Sequence, residues 1–302
     1  MSQVLDKPVQ LGTPTVAERT ARRRALLEWI AVHSLGVAAA LFFTLPFVFV
    51  VLTSLMSDQQ ALTRDLVPDT WEWGNYTKVF DTPGFLTWWK NTLIYAGLGT
   101  VLTVVSSVPV AYGFAKFRFR GDRAAFNLVL GAIMVPATAL AIPTYLLFAK
   151  VGLVNTPWAI ILPSLVNPFG LYLMRIYAED AVPDSILEAA RIDGAGEPRI
   201  FLTIALRLLA PGLVTVLLFT LVATWNNYFL PLIMLNDPNL YPITVGLSSW
   251  AAQAQNGGGG ASSDMLPLVV TGSMISIVPL VIAFLLLQRY WQSGLATGGV
   301  KQ

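Results

Sequence analysis

The sequence predicts an all-α, polytopic membrane bundle of six transmembrane helices, and two observations support this. The 302 residues are 55% hydrophobic and only 12% charged, with a mean hydropathy of +0.63, whereas soluble globular chains carry about 25% charged residues. The apolar residues also fall into long uncharged windows, and roughly 20 such residues span a bilayer. The windows are Trp29–Leu55, Asn91–Phe114, Ala124–Phe148, Pro157–Met174, Leu208–Leu235 and Met265–Leu287.

The distribution of Lys and Arg predicts how these helices are oriented. Fifteen of the nineteen basic residues fall in four segments that share one side of the membrane if the chain crosses six times. Those segments are 1–28, 115–123, 175–207 and 288–302. Because basic loops tend to stay in the cytoplasm, we expect both termini there, with residues 1–28 as a disordered basic cytoplasmic tail. Residues 56–90 and 236–264 are then expected outside.

The segment 175–207 carries ten charges in 33 residues and is too long for a simple connection. Pro183 and Asp184 are typical helix-start residues, and the tetrapeptide 185–188 fits a capping box. Gly194 is placed to end this helix. A second helix can begin near Pro198 and continue into the fifth window. A short surface helix of mixed polarity suits a protein partner better than it suits lipid.

The residues that most enzymes and metal sites need are scarce in this chain. It has no cysteine, a single histidine (His33) and no phosphate-binding motif of the G-x-x-x-x-G-K-[ST] type. We therefore expect no catalytic residue, no cofactor and no metal site. The basic run 22–24 directly precedes the first window, where arginines meet anionic headgroups. Its expected partner is membrane lipid and not nucleic acid.

Two other classes of membrane protein stay open on composition alone. Ion-coupled secondary transporters usually carry intramembrane carboxylates or histidines, and the six windows contain only His33. Sodium can still bind backbone carbonyls at broken helices. A gated pore is the other alternative, although nothing in the sequence resembles a selectivity filter.

One polar cluster interrupts the fifth window, and it consists of Trp225, Asn226, Asn227 and Tyr228. Neutral amides and aromatic rings suit a sugar, which offers hydroxyls for hydrogen bonds and apolar ring faces for stacking. Asparagines in membrane helices also form hydrogen bonds between helices. The cluster therefore either lines a substrate path or makes packing contacts, and the sequence leaves both interpretations open.

The stretch 188–195 resembles the EAA motif of the permease subunits of bacterial ABC importers. It contains a Glu-Ala-Ala triplet and a glycine four residues after the last alanine. The resemblance implies that this stretch couples the chain to an ATPase. The coupling residues that it implies are Glu188, Ala189, Ala190, Asp193 and Gly194.

Further stretches resemble the carbohydrate-uptake branch of that family, in particular its maltose-type second permease. They are 75–80, 91–121, 225–232 and 288–301. The Ile-x-Leu that follows the EAA motif in the family is matched at 204–206, whereas Arg207 stands where a proline is usual. Pro211 matches a second common proline.

This resemblance implies a complete transport machine. Residues 29–302 would form a six-helix ABC importer transmembrane domain, with 175–207 as its coupling-helix loop. The implied partners are a second homologous permease subunit, an ATPase subunit dimer that holds ATP and Mg, and an extracytoplasmic solute-binding protein. The chain would be a multi-pass protein of the bacterial inner membrane that admits a sugar or oligosaccharide by alternating access. Glycerol-phosphate importers share this branch, so that solute class stays open.

Overall fold

The computed structural model describes residues 16–57, 59–62, 65–256 and 265–298 of the chain. Within them the backbone forms fourteen α-helices, two short 3₁₀ turns, one π-helix and no strand, which confirms the all-α prediction for this part of the chain. The helices are α1 (Val16–Ser54), α2 (Gly74–Asp81), α3 (Phe85–Lys116), α4 (Asp122–Ile133), α5 (Ala137–Lys150), α6 (Trp158–Ser164), α7 (Pro168–Ala181), α8 (Asp184–Ile192), α9 (Glu197–Ile200), α10 (Leu206–Leu208), α11 (Ala210–Trp225), α12 (Phe229–Met234), α13 (Ile243–Asn256) and α14 (Met265–Gly298). The contacts divide the chain into a unit that ends at Leu52 and a unit that begins at Thr53.

The described residues of the first unit, 16–52, belong to helix α1. This helix begins at Val16, so residues 16–28 are helical where the sequence predicts a disordered tail. The physical reason is composition, because the stretch is rich in Ala, Glu, Arg and Leu, which have the highest helix propensities. The other residues of that predicted tail, 1–15, lie outside the described part of the chain.

Among the described residues, four helical segments are long and apolar enough to cross a membrane. They are Arg23–Ser54, Phe85–Lys116, Trp158–Ala181 and Met265–Tyr290. Two further helical segments are long and apolar enough only if the helices on either side of a short break are counted together. The chain bends by 102° at the break between α4 and α5 and by 78° at the break between α10 and α11. The six predicted windows therefore correspond to four spans, or to six if each bent pair crosses once.

Helix α3 is the centre of the second unit. It packs against α6, α7, α11 and α13. Near its end, Ala111 lies in a core cluster with Met174 of α7 and Val216 of α11. Near its start, Phe85 lies in a second cluster with Trp250 of α13. A single 32-residue helix therefore contributes to the cores at both ends of this unit.

Helix α3 also satisfies the backbone where the fourth window is interrupted. The break between α6 and α7 leaves carbonyl oxygens without a helical amide partner. Thr103 Oγ1 donates a hydrogen bond to the carbonyl oxygen of Ser164, and Ser106 Oγ donates one to that of Leu165 at 3.0 Å. Hydrocarbon offers no such donors, so these hydroxyls make the break tolerable in a membrane.

The start of α3 fixes the segment 238–243 by side-chain hydrogen bonds, an arrangement that we call the α3 clamp. Its four side chains are Trp88, Asn91, Thr92 and Tyr95. Their partners are the carbonyl oxygens of residues 238–241 and the amide of Ile243, at 2.7–3.0 Å. Positions spaced by three and four share one face of a helix, so the segment lies along that face.

The second helix of the segment 175–207 begins as predicted, with Pro198 in the first turn of α9. It does not continue straight into the fifth window, and that part of the prediction is wrong. Residues Phe201–Ala205 form a π-helix, and the chain bends by 78° around Leu209. The buried Leu209 side chain belongs to the same core cluster as Ala111, so apolar packing holds the bend.

Gly246 of α13 gives a test of how closely α13 packs on α3. A Cβ atom at this position would lie 2.1 Å from the Trp88 ring, which is buried and held in the α3 clamp. We predict that Gly246→Ala lowers the free energy of unfolding by about 1–3 kcal/mol through overpacking, measured as a lower melting temperature of the purified chain in detergent. The control is Gly97→Ala, where nothing lies within 4 Å of the new Cβ. An equal melting temperature for both variants would contradict the packing described.

Candidate functional site

Helix α8 carries the residues of the EAA motif, and its two faces have different environments. Leu187 and Ala190 are buried at 1% and 8% exposure in the core cluster formed with α3, α7 and α11. Glu188, Ala189 and Asp193 are exposed on the other side. The structure therefore places Glu188, Ala189 and Ala190 on α8 and Asp193 and Gly194 directly after it, but it does not place the alanines on one face.

This division corrects one expectation. Ala189 and Ala190 are both expected to be coupling residues, yet Ala190 packs inside the chain's own core. Adjacent helix positions are about 100° apart, so both cannot face the same partner. Only Ala189 of the two is available to another subunit.

The start of α8 differs from the predicted capping box. The N-cap residue is Pro183, whose extended backbone (φ −65°, ψ 134°) leads into the helix, and no side chain caps it. Ser185 lies inside the helix and so cannot serve as the N-cap. Asp184 is the acidic residue of the first turn, where a carboxylate is favoured by the partial positive charge of the helix end.

The end of α8 is formed by Gly194, as predicted. Its φ is +81°, a left-handed conformation that a residue with a Cβ rarely adopts. The amide of Gly194 donates to the carbonyl of Arg191, and the amide of Ala195 donates to that of Ala190, both at 3.0 Å. This pair of hydrogen bonds is a Schellman motif. The chain can therefore turn sharply from α8 toward α9.

Ion pairs fix both ends of α8. At its start, Lys116 Nζ lies 3.0 Å from Asp184 Oδ1. At its end, Arg191 Nε lies 2.6 Å from Glu197 Oε1 of α9. The hydrogen bond to Glu197 raises the pKa of Arg191 above its usual range. The buried side chains of α8 attach it to the core, and each end also makes an ion pair, while its outer face stays exposed.

The most exposed apolar side chain of this segment is one that the sequence analysis did not single out. Ile192 is 86% exposed at the end of α8, next to Asp193. The sequence does carry a signal for it, because Ile192 stands between the charged residues Arg191 and Asp193. At such a position a solvated surface helix favours a polar side chain, so an isoleucine there indicates a contact surface. With Glu188 and Ala189, Ile192 belongs to the outer face of α8.

The four residues of the polar cluster do not form one site. Trp225 is buried, and its Nε1 donates to the carbonyl oxygen of Ser276 at 3.1 Å. Asn226 is exposed, and its Nδ2 donates to Val222 one turn back in α11. The Tyr228 hydroxyl lies 3.0 Å from Ser248 Oγ. For Trp225 the packing interpretation is the one that the geometry supports.

Asn227 is different because it lines a cavity of about 750 Å³. The cavity lies beside the break between α4 and α5, the break between α6 and α7, and the start of α12. Its polar lining residues are Thr138, Thr144, Ser164, Asn167 and Asn227. None of the described residues that line it is charged. Such a lining can offer hydrogen bonds and apolar contacts together, which is what a sugar requires.

Asn167 is a lining residue that the sequence analysis missed. It is the N-cap of α7, where its Oδ1 accepts from the amide of Gly170 at 2.8 Å and its Nδ2 donates to Thr220 Oγ1 at 3.0 Å. An asparagine followed by proline inside an apolar window is a helix-start signal. That signal at Asn167-Pro168 could have located the break and the cavity beside it.

Comparisons with known proteins identify the family of the chain. Residues 107–296 match the family described as binding-protein-dependent transport system inner membrane components. The chain belongs to that family. This permease is 32% identical to the arabinooligosaccharides transport system permease protein AraQ of Halalkalibacterium halodurans over 282 residues, 91% of this chain and 97% of that protein. It is 30% identical to the lactose transport system permease protein LacG of Rhizobium radiobacter, over 93% of this chain and 99% of that protein.

A solved structure shows the same fold. A chain in the crystal structure of a bacterial ABC transporter involved in alginate import matches this permease with a TM-score of 0.75 and 27% identity. The match covers 92% of this permease and 100% of that chain. The predicted resemblance to carbohydrate-uptake permeases of ABC importers is therefore confirmed.

Proposed function

We propose that this permease is the transmembrane subunit of an ABC importer that moves a sugar or oligosaccharide into the cytoplasm by alternating access. ATP and Mg would be held by a partner ATPase dimer, and this chain would supply no catalytic residue. The observation that carries the proposal is helix α8, whose outer face is exposed while its inner side is attached to the core by two buried side chains and by the Lys116–Asp184 ion pair. Because the inner side of α8 packs against α3, α7 and α11, a force applied to its outer face would reach the spanning helices.

The remaining partners follow from the family. Its description names a binding protein, which supports an extracytoplasmic solute-binding protein as the source of the solute. A second homologous permease would complete the translocation path. The multi-pass chain would lie in the bacterial inner membrane with α8 and both termini in the cytoplasm.

A sugar is the solute class that the cavity supports best. The described lining residues carry no charge, and a glycerol-phosphate-type solute would need a cationic partner for its phosphate. Relatives named for lactose and for melibiose, raffinose and stachyose support the same class. The uncharged lining also disfavours an ion-coupled secondary transporter.

Topology can be tested because the chain contains no cysteine. We expect an Asp193→Cys variant to react with a membrane-impermeant maleimide only after the inner membrane is opened. A cysteine at Asn239, beside the α3 clamp, should react in intact spheroplasts. Labelling of position 193 from outside would overturn the proposed orientation.

Asn227 and Asn226 form a matched pair for testing the path. We predict that Asn227→Leu lowers uptake by roughly tenfold, the effect of losing about 1.4 kcal/mol of hydrogen bonding to the solute, whereas Asn226→Leu changes it little. The measurement is uptake of radiolabelled lactose, raffinose and arabinotriose by the reconstituted importer. Co-purification of the second permease with both variants controls for assembly. Equal uptake by both variants would remove Asn227 from the path.

The coupling role of α8 can be tested at Gly194. We predict that Gly194→Val weakens attachment of the ATPase by roughly tenfold or more, because a β-branched residue at φ +81° disturbs the end of α8. The control is Gly152→Val, which places the same strain (φ +70°) in the loop between α5 and α6, also with open space around the new side chain. The measurement is co-purification of the ATPase.

A second pair of variants tests the outer face of α8 without changing its backbone. Glu188→Lys reverses an exposed charge on α8, and Asp180→Lys reverses an exposed charge at the end of α7. We expect only the change at Glu188 to weaken ATPase attachment. Normal attachment in both Gly194→Val and Glu188→Lys would refute the coupling role.

A further inference from the structure

We infer that Lys116 is a positioning residue that makes α8 move as one body with α3. The inference rests on the proposed function of α8 as the surface that meets the ATPase. Its basis is a lysine side chain, only 5% exposed, at the meeting point of three helices.

The geometry of this group is specific. Lys116 is the last residue of α3, and its side chain is only 5% exposed. Its Nζ donates to Asp184 Oδ1 at 3.0 Å and to the carbonyl oxygen of Glu179 at 3.3 Å. Glu179 lies in the last turn of α7, and Asp184 is the first residue of α8. One side chain thus joins the ends of α3 and α7 to the start of α8.

Burial makes this contact hard to replace. An ammonium group withdrawn from water must keep its hydrogen-bond partners, because an unpaired buried charge is strongly destabilising. If α8 moved away from α3, Lys116 would lose its carboxylate and retain one carbonyl. Asp184 is 76% exposed and stays hydrated on its far side, so the carboxylate itself does not oppose the pairing. The free energy therefore favours joint movement of the two helices.

The other ion pair of α8 is a natural contrast. Arg191 and Glu197 are 40% and 42% exposed, so water can replace each partner and the pair is worth little. It also joins α8 to α9 and not to a spanning helix. Between the two pairs, Leu187 and Ala190 pack in the cluster that contains Val108 and Ala111 of α3, which keeps α8 seated while Lys116 fixes its direction.

Helix α3 connects this contact to the opposite end of the bundle. The helix spans 32 residues, with the α3 clamp near its start and Lys116 at its end. Movement of α8 would therefore reach the segment 238–243 through the Lys116–Asp184 ion pair and one continuous helix, which contains Pro109.

The experiment measures the distance between α8 and the far end of α3 in the assembled importer in nanodiscs. Spin labels at Ser185→Cys and Thr87→Cys, both exposed positions, report it by double electron–electron resonance. The distance is compared without nucleotide and with ATP–Mg–vanadate. In the wild-type background we expect it to stay constant, whereas in Lys116→Met it should change by more than about 2 Å, the scale of helix shifts at interfaces.

Three further variants make the result specific to the ion pair. Lys116→Arg and the exchange Lys116→Asp with Asp184→Lys should restore the constant distance. Arg191→Met, which breaks the exposed pair, should leave it constant. The inference is overturned if the wild-type distance changes, if Lys116→Met leaves it constant, if the exchange fails to restore it, or if Arg191→Met acts like Lys116→Met. Normal ATPase attachment in both Gly194→Val and Glu188→Lys would instead refute the proposed coupling role of α8, and the distance would still report whether Lys116 joins the helices.

Discussion

Hydrogen bonding of the backbone is the constraint on which this structure depends. A spanning chain has no water to satisfy free amides and carbonyls, so each helix break needs donors and acceptors from neighbouring helices. The break between α6 and α7 meets this need with hydroxyls of α3 and with the side chain of Asn167. The large cavity lies beside this break and the one between α4 and α5. The interruptions therefore create the polar lining that uniformly helical spans would not have.

Helix α8 shows how one short element serves two purposes. Its inner face supplies apolar side chains to the core, and its outer face remains free of the chain's own packing. A nine-residue helix is too short to be stable alone, so the core contacts are what give the outer face a defined shape. The same contacts explain why Ala190, although part of the motif, belongs to the interior.

The sequence predicts well those features that depend on local chemistry. The apolar windows, the proline at the start of α9 and the left-handed glycine that ends α8 all follow from the properties of single residues or short runs. It predicts poorly the features set by distant contacts. The 78° bend at Leu209 depends on packing against α3 and α7, and the different environments of Trp225 and Asn227 depend on which helices surround them. The helical start of residues 16–28 could have been predicted, since its composition favours a helix.

The α3 clamp fixes the backbone position of the segment 238–243 but does not restrict which side chains that segment can carry. Four of its five hydrogen bonds end on carbonyl oxygens and the fifth on an amide, and every residue type except proline carries both groups. Substitutions in the segment 238–243 can therefore change the chemistry displayed there while the backbone stays in register with α3. The side chains of this segment can therefore vary during evolution, and its binding specificity with them, without any change in the helices that hold its backbone.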